Sequence, residues 1–233
     1  MARVFSVLMQ LGIGSSRKRE GAAMTNATAE KVDFYFDPAC PWTYLASRWI
    51  RKVSAAKGID VRYQPFSLLI KNRPLGIPDM YRAGVEYGLR VLRIVAAIGD
   101  SLDPDKANHV TAELYARVGD AYHQQGLGHS FDYLPVLEEL GVADFAGAAS
   151  DDSWDVPIEK SMERALELAG EDVGVPIVAV ESAGSVQGFF GPILCRIPSD
   201  EEAVELYEHF AGLAKLGCFF ELKRKKASGP SFA

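Results

Sequence analysis

Phe34-Tyr35-Phe36-Asp37-Pro38-Ala39-Cys40-Pro41-Trp42-Thr43-Tyr44 decides how this chain is read: a hydrophobic, β-rich run breaks at a turn and delivers a cysteine to a helix start opened by proline. Free N–H groups and the dipole at a helix N-terminus favour a thiolate over a thiol, so Cys40 is the catalytic candidate and is expected to have a depressed pKa. Thr43 stands three residues on, where a second thiol would complete a Cys-x-x-Cys redox pair. A mixed disulfide on Cys40 then has no neighbouring thiol to resolve it, and an external small thiol must attack instead. The expected chemistry is monothiol. Thr43 lies on the same helix face as Cys40, from which its hydroxyl is expected to donate to the sulfur. A free cysteine is otherwise usually a small buried hydrophobe; the helix-start position favours the catalytic reading here. Trp42 is expected to border the site, and Tyr44 to serve either helix packing or the pocket.

Working outward, Val32 to Phe36 reads as a buried strand, Pro41 to about Ala56 as a helix closed by Gly58, and Ile59 to Phe66 as a second strand. Together they predict a β-α-β unit with parallel pairing. From Pro78 to Gly170 the pattern turns helical, with patches at Met80 to Ile98, Pro104 to Gln124, Tyr133 to Leu140 and Val156 to Ala169. Strand signals return at Val175 to Val180 and Ser185 to Phe190 around the turn residues Ser182-Ala183-Gly184, which predicts a hairpin. Pro176 opens the first of these strands and is a candidate cis-proline. A last helix is expected from Asp200 to Leu216, capped by Ser199. The fold class expected is α/β, a thioredoxin fold with an inserted all-helical domain. Its divisions are 1–30, an N-terminal extension expected to be disordered; 31–77 with 171–222, the thioredoxin-like part; 78–170, the helical insertion; and 223–233, a C-terminal tail.

Bulk properties narrow the function classes. A 233-residue chain with 48% hydrophobic and 24% charged residues is an ordinary globular composition. A net charge of −6 argues against a nucleic-acid surface, and the basic runs Arg17-Lys18-Arg19 and Lys223-Arg224-Lys225-Lys226 read as solvated tails. Cys40, Cys195 and Cys218 are odd in number and scattered, which points to a reducing cytoplasm and not to a secreted disulfide framework. Cys195 and Cys218 are expected to be buried. No run approaches the roughly 20 apolar residues of a membrane span, and a soluble protein with no membrane partner is expected. Val4 to Ile13 is apolar, but its basic cluster follows it, the reverse of a signal peptide. Gly12-Ile13-Gly14 lacks the third glycine of a dinucleotide loop, Arg17 standing there. Met24 is the more natural beginning of the folded part, with residues 1 to 23 an extension. His109, His123, His129 and His209 match no metal-ligand spacing, so no metal is expected, and no flavin or nicotinamide loop stands out.

The Cys40-Pro41-Trp42 start, the helical insertion, Val175-Pro176 and the closing hairpin and helix resemble the DsbA-like branch of the thioredoxin superfamily over about residues 31 to 226. Within it the chain is most similar to the mycothiol-dependent nitroreductase family. The blocks that carry this are Phe36-Asp37-Pro38-Ala39-Cys40-Pro41-Trp42, Ser47-Arg48-Trp49-Ile50, Gly170-Glu171-Asp172-Val173-Gly174, Phe189-Phe190-Gly191-Pro192 and Phe219-Phe220-Glu221-Leu222-Lys223-Arg224. The resemblance implies that Cys40 attacks, that the loop before Pro176 faces it, and that the Val175 backbone pairs with a thiol ligand. It also implies Asn72, Tyr81 and His123 as polar residues of the pocket, with Pro41 and Trp42 beside them. His123 reads equally well as an ordinary helix histidine. Thr43 departs from the better-known members, which carry a second cysteine there.

The activity expected is reduction of disulfides, or of electrophiles such as nitroaromatics, through Cys40 with a low-molecular-weight thiol, mycothiol by resemblance, as electron source. One alternative is a kappa-type thiol transferase or a 2-hydroxychromene-2-carboxylate isomerase, whose Ser-containing helix start is echoed by Tyr44-Leu45-Ala46-Ser47. Another is a non-enzymatic binding module using the groove beside Pro176.

Overall fold

A computed structural model describes residues 30–182 and 184–232. The expected N-terminal extension therefore lies outside the described residues, apart from Glu30. Strand β1 (Lys31–Phe36) feeds helix α1 (Pro41–Lys57), which returns the chain to strand β2 (Asp60–Pro65). Pro41 occupies the first helical turn, and Gly58 at φ 68° ends the helix in the left-handed conformation that glycine adopts freely. β1 and β2 pair in parallel, Val32 opposite Val61 and Phe34 opposite Tyr63, as a helical crossover requires.

Strands β3 (Ile177–Ser182) and β4 (Ser185–Phe190) form the expected hairpin, and β3 runs antiparallel to β1 with Phe34 opposite Val178. Among the described residues the four strands make one sheet in the order β2-β1-β3-β4. The two central strands are buried almost throughout: Val32, Phe34, Phe36, Ile177 and Val178 are all inaccessible. β3 begins at Ile177 instead of the expected Val175, because the Val175–Pro176 peptide is cis and stands just before the ladder.

Between β2 and β3 lies the helical insertion: α2 (Leu68–Asn72), α3 (Asp79–Ser101), α4 (Pro104–Gly119), α5 (Leu134–Glu139) and α6 (Asp155–Ala169), with short 3₁₀ segments between them. The sequence pattern missed α2, a single turn capped by the Ser67 hydroxyl, which accepts from Ile70 N–H at 3.3 Å. At Asp120–Gln124 the chain widens from α4 into a π-helical turn, the last part of what read as one helix to Gln124. Arg93 of α3 holds Asp155 of α6 through two bonds of 2.7 and 3.0 Å. Asn108 of α4 fastens the insertion to the free edge of the sheet, its Oδ1 accepting from Tyr63 N–H at 2.9 Å and its Nδ2 donating to Val61 C=O at 2.8 Å. Those two backbone groups are thereby denied to any further strand.

Helix α7 (Asp200–Ala214) starts with a capping box between Ser199 and Glu202 and ends two residues before the expected Leu216. It packs on α1, where the fully buried Trp49 indole donates to Ala203 C=O at 2.9 Å and meets the rings of Tyr207 and Phe210.

Helix α3 passes the active-site turn at Gly88, where an added Cβ would lie 2.5 Å from Asp37 Oδ1 and 3.3 Å from Ala39 Cβ. Gly88→Ala is expected to destabilise the protein by about 1–3 kcal/mol, since a close-packed site must shift to admit the methyl group. Thermal unfolding should report a fall of roughly 2–4 °C per kcal/mol; an unchanged Tm would mean that α3 does not constrain the turn.

Candidate active site

Cys40 is the N-cap of α1, with extended backbone (φ −83°, ψ 114°) and no side-chain cap of its own. The turn that places it is tied by Cys40 N–H to Asp37 C=O at 3.0 Å and by Ala39 N–H to Asp37 Oδ1 at 2.8 Å. Asp37 Oδ2 also accepts Leu68 N–H at 2.7 Å, so one buried carboxylate joins the β1–α1 turn to the start of α2. Among the described residues no cation neutralises it, and burial pushes its pKa up to about 6 against the opposing pull of these two N–H groups.

Cys40 is 6% exposed and its sulfur faces the cis-proline loop, the thiol within 3.5 Å of Val175 C=O. Burial is the dominant influence on it and pushes the thiol pKa up. The Thr43 hydroxyl and the N–H groups of Thr43 and Trp42 pull it down, while the Asp37 charge pushes it up. This corrects the expected depressed pKa: the helix start stabilises the anion as anticipated, but desolvation outweighs it. The Thr43 hydroxyl is wholly buried and has no partner of adequate hydrogen-bond geometry in this resting form, in which the sulfur is itself the donor. It is placed to donate once that proton has left, and its pull on the Cys40 pKa is the sign of that placement.

His123 sits on the π-helical turn and reaches back to the same loop, its Nε2 lying 2.8 Å from Pro38 C=O. A carbonyl can only accept, so Nε2 carries a proton and donates it to Pro38 C=O. Burial lowers its pKa to about 4, with the Pro38 bond opposing. The ring is packed against Tyr122, Tyr44 and Phe232 at centroid distances of 4.6, 5.2 and 5.6 Å. Tyr44 is buried and donates to Asp120 Oδ1 at 2.7 Å, which makes it a tie between α1 and the insertion.

A cavity of about 130 Å³ opens beside the active-site turn, lined by Ala39, Met80, Tyr81, Gly84, Tyr122 and His129. Tyr81 is 58% exposed and stands on its rim, next to the likewise exposed Met80. Asn72 does not turn to the sulfur in the resting structure: its side-chain amide donates to Leu68 C=O at 2.9 Å, closing its own helix turn. Trp42 is half-buried beside Cys40, as expected. Pro41, Thr43, Val175 and Pro176 thus gather at Cys40 and His123 at its turn, Tyr81 borders the adjoining cavity, and Asn72 stays with α2.

Three residues were not anticipated here. Asp37 looked like ordinary turn chemistry, although Asp-Pro before a helix start is a signal for a capped turn. Gly88 carries no sequence signal for its partner. Phe232 comes from the tail. A larger cavity, about 550 Å³, lies between α1, β2 and α4 and is lined by none of the expected site residues. Its charges are paired, Arg51 with Glu113 and Arg62 with Asp60 and Asp105. Cys195 and Cys218 are exposed, not buried as expected, because both lie in irregular segments flanking α7. Among the described residues no group of His, Cys, Asp and Glu side chains could hold a metal ion, and no helix is long and apolar enough to cross a membrane.

A buried thiol at a helix start opposite a cis-proline, on a four-stranded sheet interrupted by a helical insertion, is the arrangement of a DsbA-like thioredoxin fold. Residues 39–224 match the family described as Rv2466c-like, mycothiol-dependent nitroreductase Rv2466c, and the chain belongs to that family. It is 31% identical over 201 residues to the uncharacterized protein Rv2286c of Mycobacterium tuberculosis (strain ATCC 25618 / H37Rv), covering 84% of this chain and 82% of that one. Among solved structures, the cytosolic disulfide reductase DsbM from Pseudomonas aeruginosa superposes with a TM-score of 0.52 at 21% identity, covering 78% of this chain and 99% of DsbM. A putative protein disulfide isomerase from Nitrosomonas europaea reaches a TM-score of 0.52 at 13% identity, over 79% of this chain and 98% of that one. These two likenesses are of fold.

Two outcomes follow from the electrostatics. The His123 ring should stay neutral from pH 8 to pH 5 and titrate with an NMR midpoint near 4. Its folded pKa lies below the unfolded value, so the stability it contributes is present above about pH 6.5 and is lost as pH falls through 4. Asp37→Asn should move the midpoint of the pH dependence of Cys40 alkylation downwards, because it removes the negative charge that raises the thiol pKa. A midpoint that stays or rises would show that Asp37 acts on Cys40 only through the turn.

Proposed function

We propose that the protein is a monothiol oxidoreductase in which Cys40 works with a low-molecular-weight thiol of the mycothiol type to reduce disulfides or electrophilic substrates such as nitroaromatics. The observation that carries this reading is the placement of a single thiol, Cys40, at the α1 start facing Val175 C=O, with Thr43 where a second thiol would stand. Family membership supports mycothiol as the co-substrate, and the DsbM structure solved with GSH is a case of this fold beside a small thiol.

For a disulfide substrate, Cys40 gives up its proton and its thiolate attacks one sulfur, breaking the substrate S–S bond and forming a mixed disulfide while the other sulfur leaves as a thiol. An external thiolate then attacks the mixed disulfide and restores Cys40. Each cycle exchanges one disulfide for another, and a second thiol completes the two-electron reduction. The Thr43 hydroxyl and the N–H groups of Trp42 and Thr43 steady the sulfur anion in both steps. Val175 stands outside the β1–β3 ladder, so its backbone is available to an extended thiol ligand lying along the cis-proline loop. Tyr81, Met80 and Tyr122 give the adjoining cavity two aromatic rings and a thioether, with His129 as a polar group, a lining suited to an aromatic substrate. In the cell we place this chemistry in the reducing cytoplasm, where small thiols are abundant.

The test is intact mass with peptide mapping after reduced protein meets mycothiol disulfide, followed by free mycothiol. An adduct on Cys40 that free mycothiol removes is the expected result, and Cys40→Ser should abolish both adduct and turnover. Cys40 left unmodified while still open to alkylation, or activity retained by Cys40→Ser, would instead support a transferase or isomerase that activates a bound thiol without a covalent step.

A further inference from the structure

After α7 the chain has no regular secondary structure, yet it is held against the body of the protein. The Phe219 ring packs on Phe189 at 5.7 Å, and Ser231 N–H donates to Cys195 C=O at 2.8 Å. Phe232 lies 5.6 Å from both Tyr44 and His123, the two rings that back the Cys40 turn. Between these anchors Lys226 Nζ stands 4.7 Å from the centre of the Trp42 ring, over the residue two positions after Cys40. The basic run 223–226 is exposed, as expected of a solvated tail, and its last residue meets the first turn of α1 at Trp42. Lys223, Arg224 and Lys225 are exposed and make no ion pair with any described residue. The family match ends at residue 224, so Lys226 and Phe232 lie beyond it.

A cation held on the ring of Trp42, two residues along the chain from Cys40, has a defined electrostatic consequence. The protein carries a net charge of −6, which repels anions in general, whereas these consecutive cations make a local positive field near the first turn of α1, where Lys226 meets Trp42. We infer that the C-terminal segment 223–232 forms one wall of the acceptor site and that Lys226 selects disulfides bearing negative charge next to the sulfur attacked by Cys40. The inference rests on the reading of Cys40 as the reacting thiol. The cavity at Tyr81 takes the organic group, and the tail takes the charge.

The experiment uses the full chain with Cys195 and Cys218, both exposed, replaced by serine so that only Cys40 reports. Two aromatic disulfide probes are compared by stopped flow: 5,5′-dithiobis(2-nitrobenzoate), a dianion, and 4,4′-dithiodipyridine, which is neutral. In either reaction Cys40 loses its proton to solvent, one S–S bond breaks, one forms, and one arene thiolate leaves, so no further oxidant is needed. The ratio of the two rate constants cancels changes in the Cys40 pKa. Lys226→Glu is expected to lower that ratio about three- to tenfold, with the difference shrinking in about 0.5 M salt as screening sets in. Lys226→Arg should preserve it. A ratio unchanged by Lys226→Glu, or lowered equally by Lys226→Arg, overturns the inference. Failure of Cys40 to react with either probe in the parent protein would instead count against the monothiol reading itself.

Discussion

The carboxylate of Asp37 is the fixed point of this molecule. It is buried without a counter-ion, and its two oxygens accept the N–H groups of Ala39 and Leu68. One bond shapes the turn that presents Cys40; the other anchors the first helix of the insertion to that turn. Gly88 of α3 closes on the same oxygen from the far side, where any side chain would collide. Leaving either N–H unpaired in this dry environment would cost about 1–3 kcal/mol. The thioredoxin-like sheet and the helical insertion therefore meet through the active-site turn itself, and a disturbance of either is felt at the sulfur.

That dependence explains the balance at Cys40. A helix start with two free N–H groups and a nearby hydroxyl would ordinarily make a cysteine acidic. Here the turn is tied down so closely that the sulfur is almost excluded from water, and desolvation prevails. The resting thiol spends its proton on Val175 C=O. The groups that stabilise the anion are nevertheless in place and need no rearrangement when the proton leaves. A ligand lying along the cis-proline loop would compete for the same carbonyl, which couples binding to release of the sulfur. The π-helical turn makes the second tie: by widening the end of α4 it brings His123 over Pro38, and the neutral ring then supports the turn without adding charge next to the thiol.

Much of this was legible in the chain. The strand at Val32 to Phe36, the proline-opened helix, the parallel return at Asp60 to Pro65, the hairpin and the capped last helix all follow from apolar periodicity and turn residues, which act over a few positions. The same local logic placed Cys40 at the helix start, and the architecture it implied marked Pro176 as the cis-proline. What could not be read locally were the distances between segments far apart in sequence. Asn72 resembles a pocket residue but satisfies its amide on Leu68 C=O one turn back. Cys195 and Cys218 read as buried because free cysteines usually are, yet both fall in irregular segments outside the core. The basic run near the C-terminus is exposed as expected, but the contact of Lys226 with the Trp42 ring joins segments far apart in sequence.

By itself, then, the sequence determined the order and kind of the elements, the cysteine at the start of α1 and the threonine where a second thiol would stand, since each of these depends on residues within one or two turns of chain. Only the tertiary structure decided the state of that thiol. Whether the helix start or desolvation wins at Cys40 depends on how tightly Asp37, Gly88 and Val175 enclose it from three separate segments, and the tail's contact with Trp42 depends on where α7 releases the chain. A pKa is set by the charge and dielectric of everything around a group, and that surrounding exists only once the chain has folded.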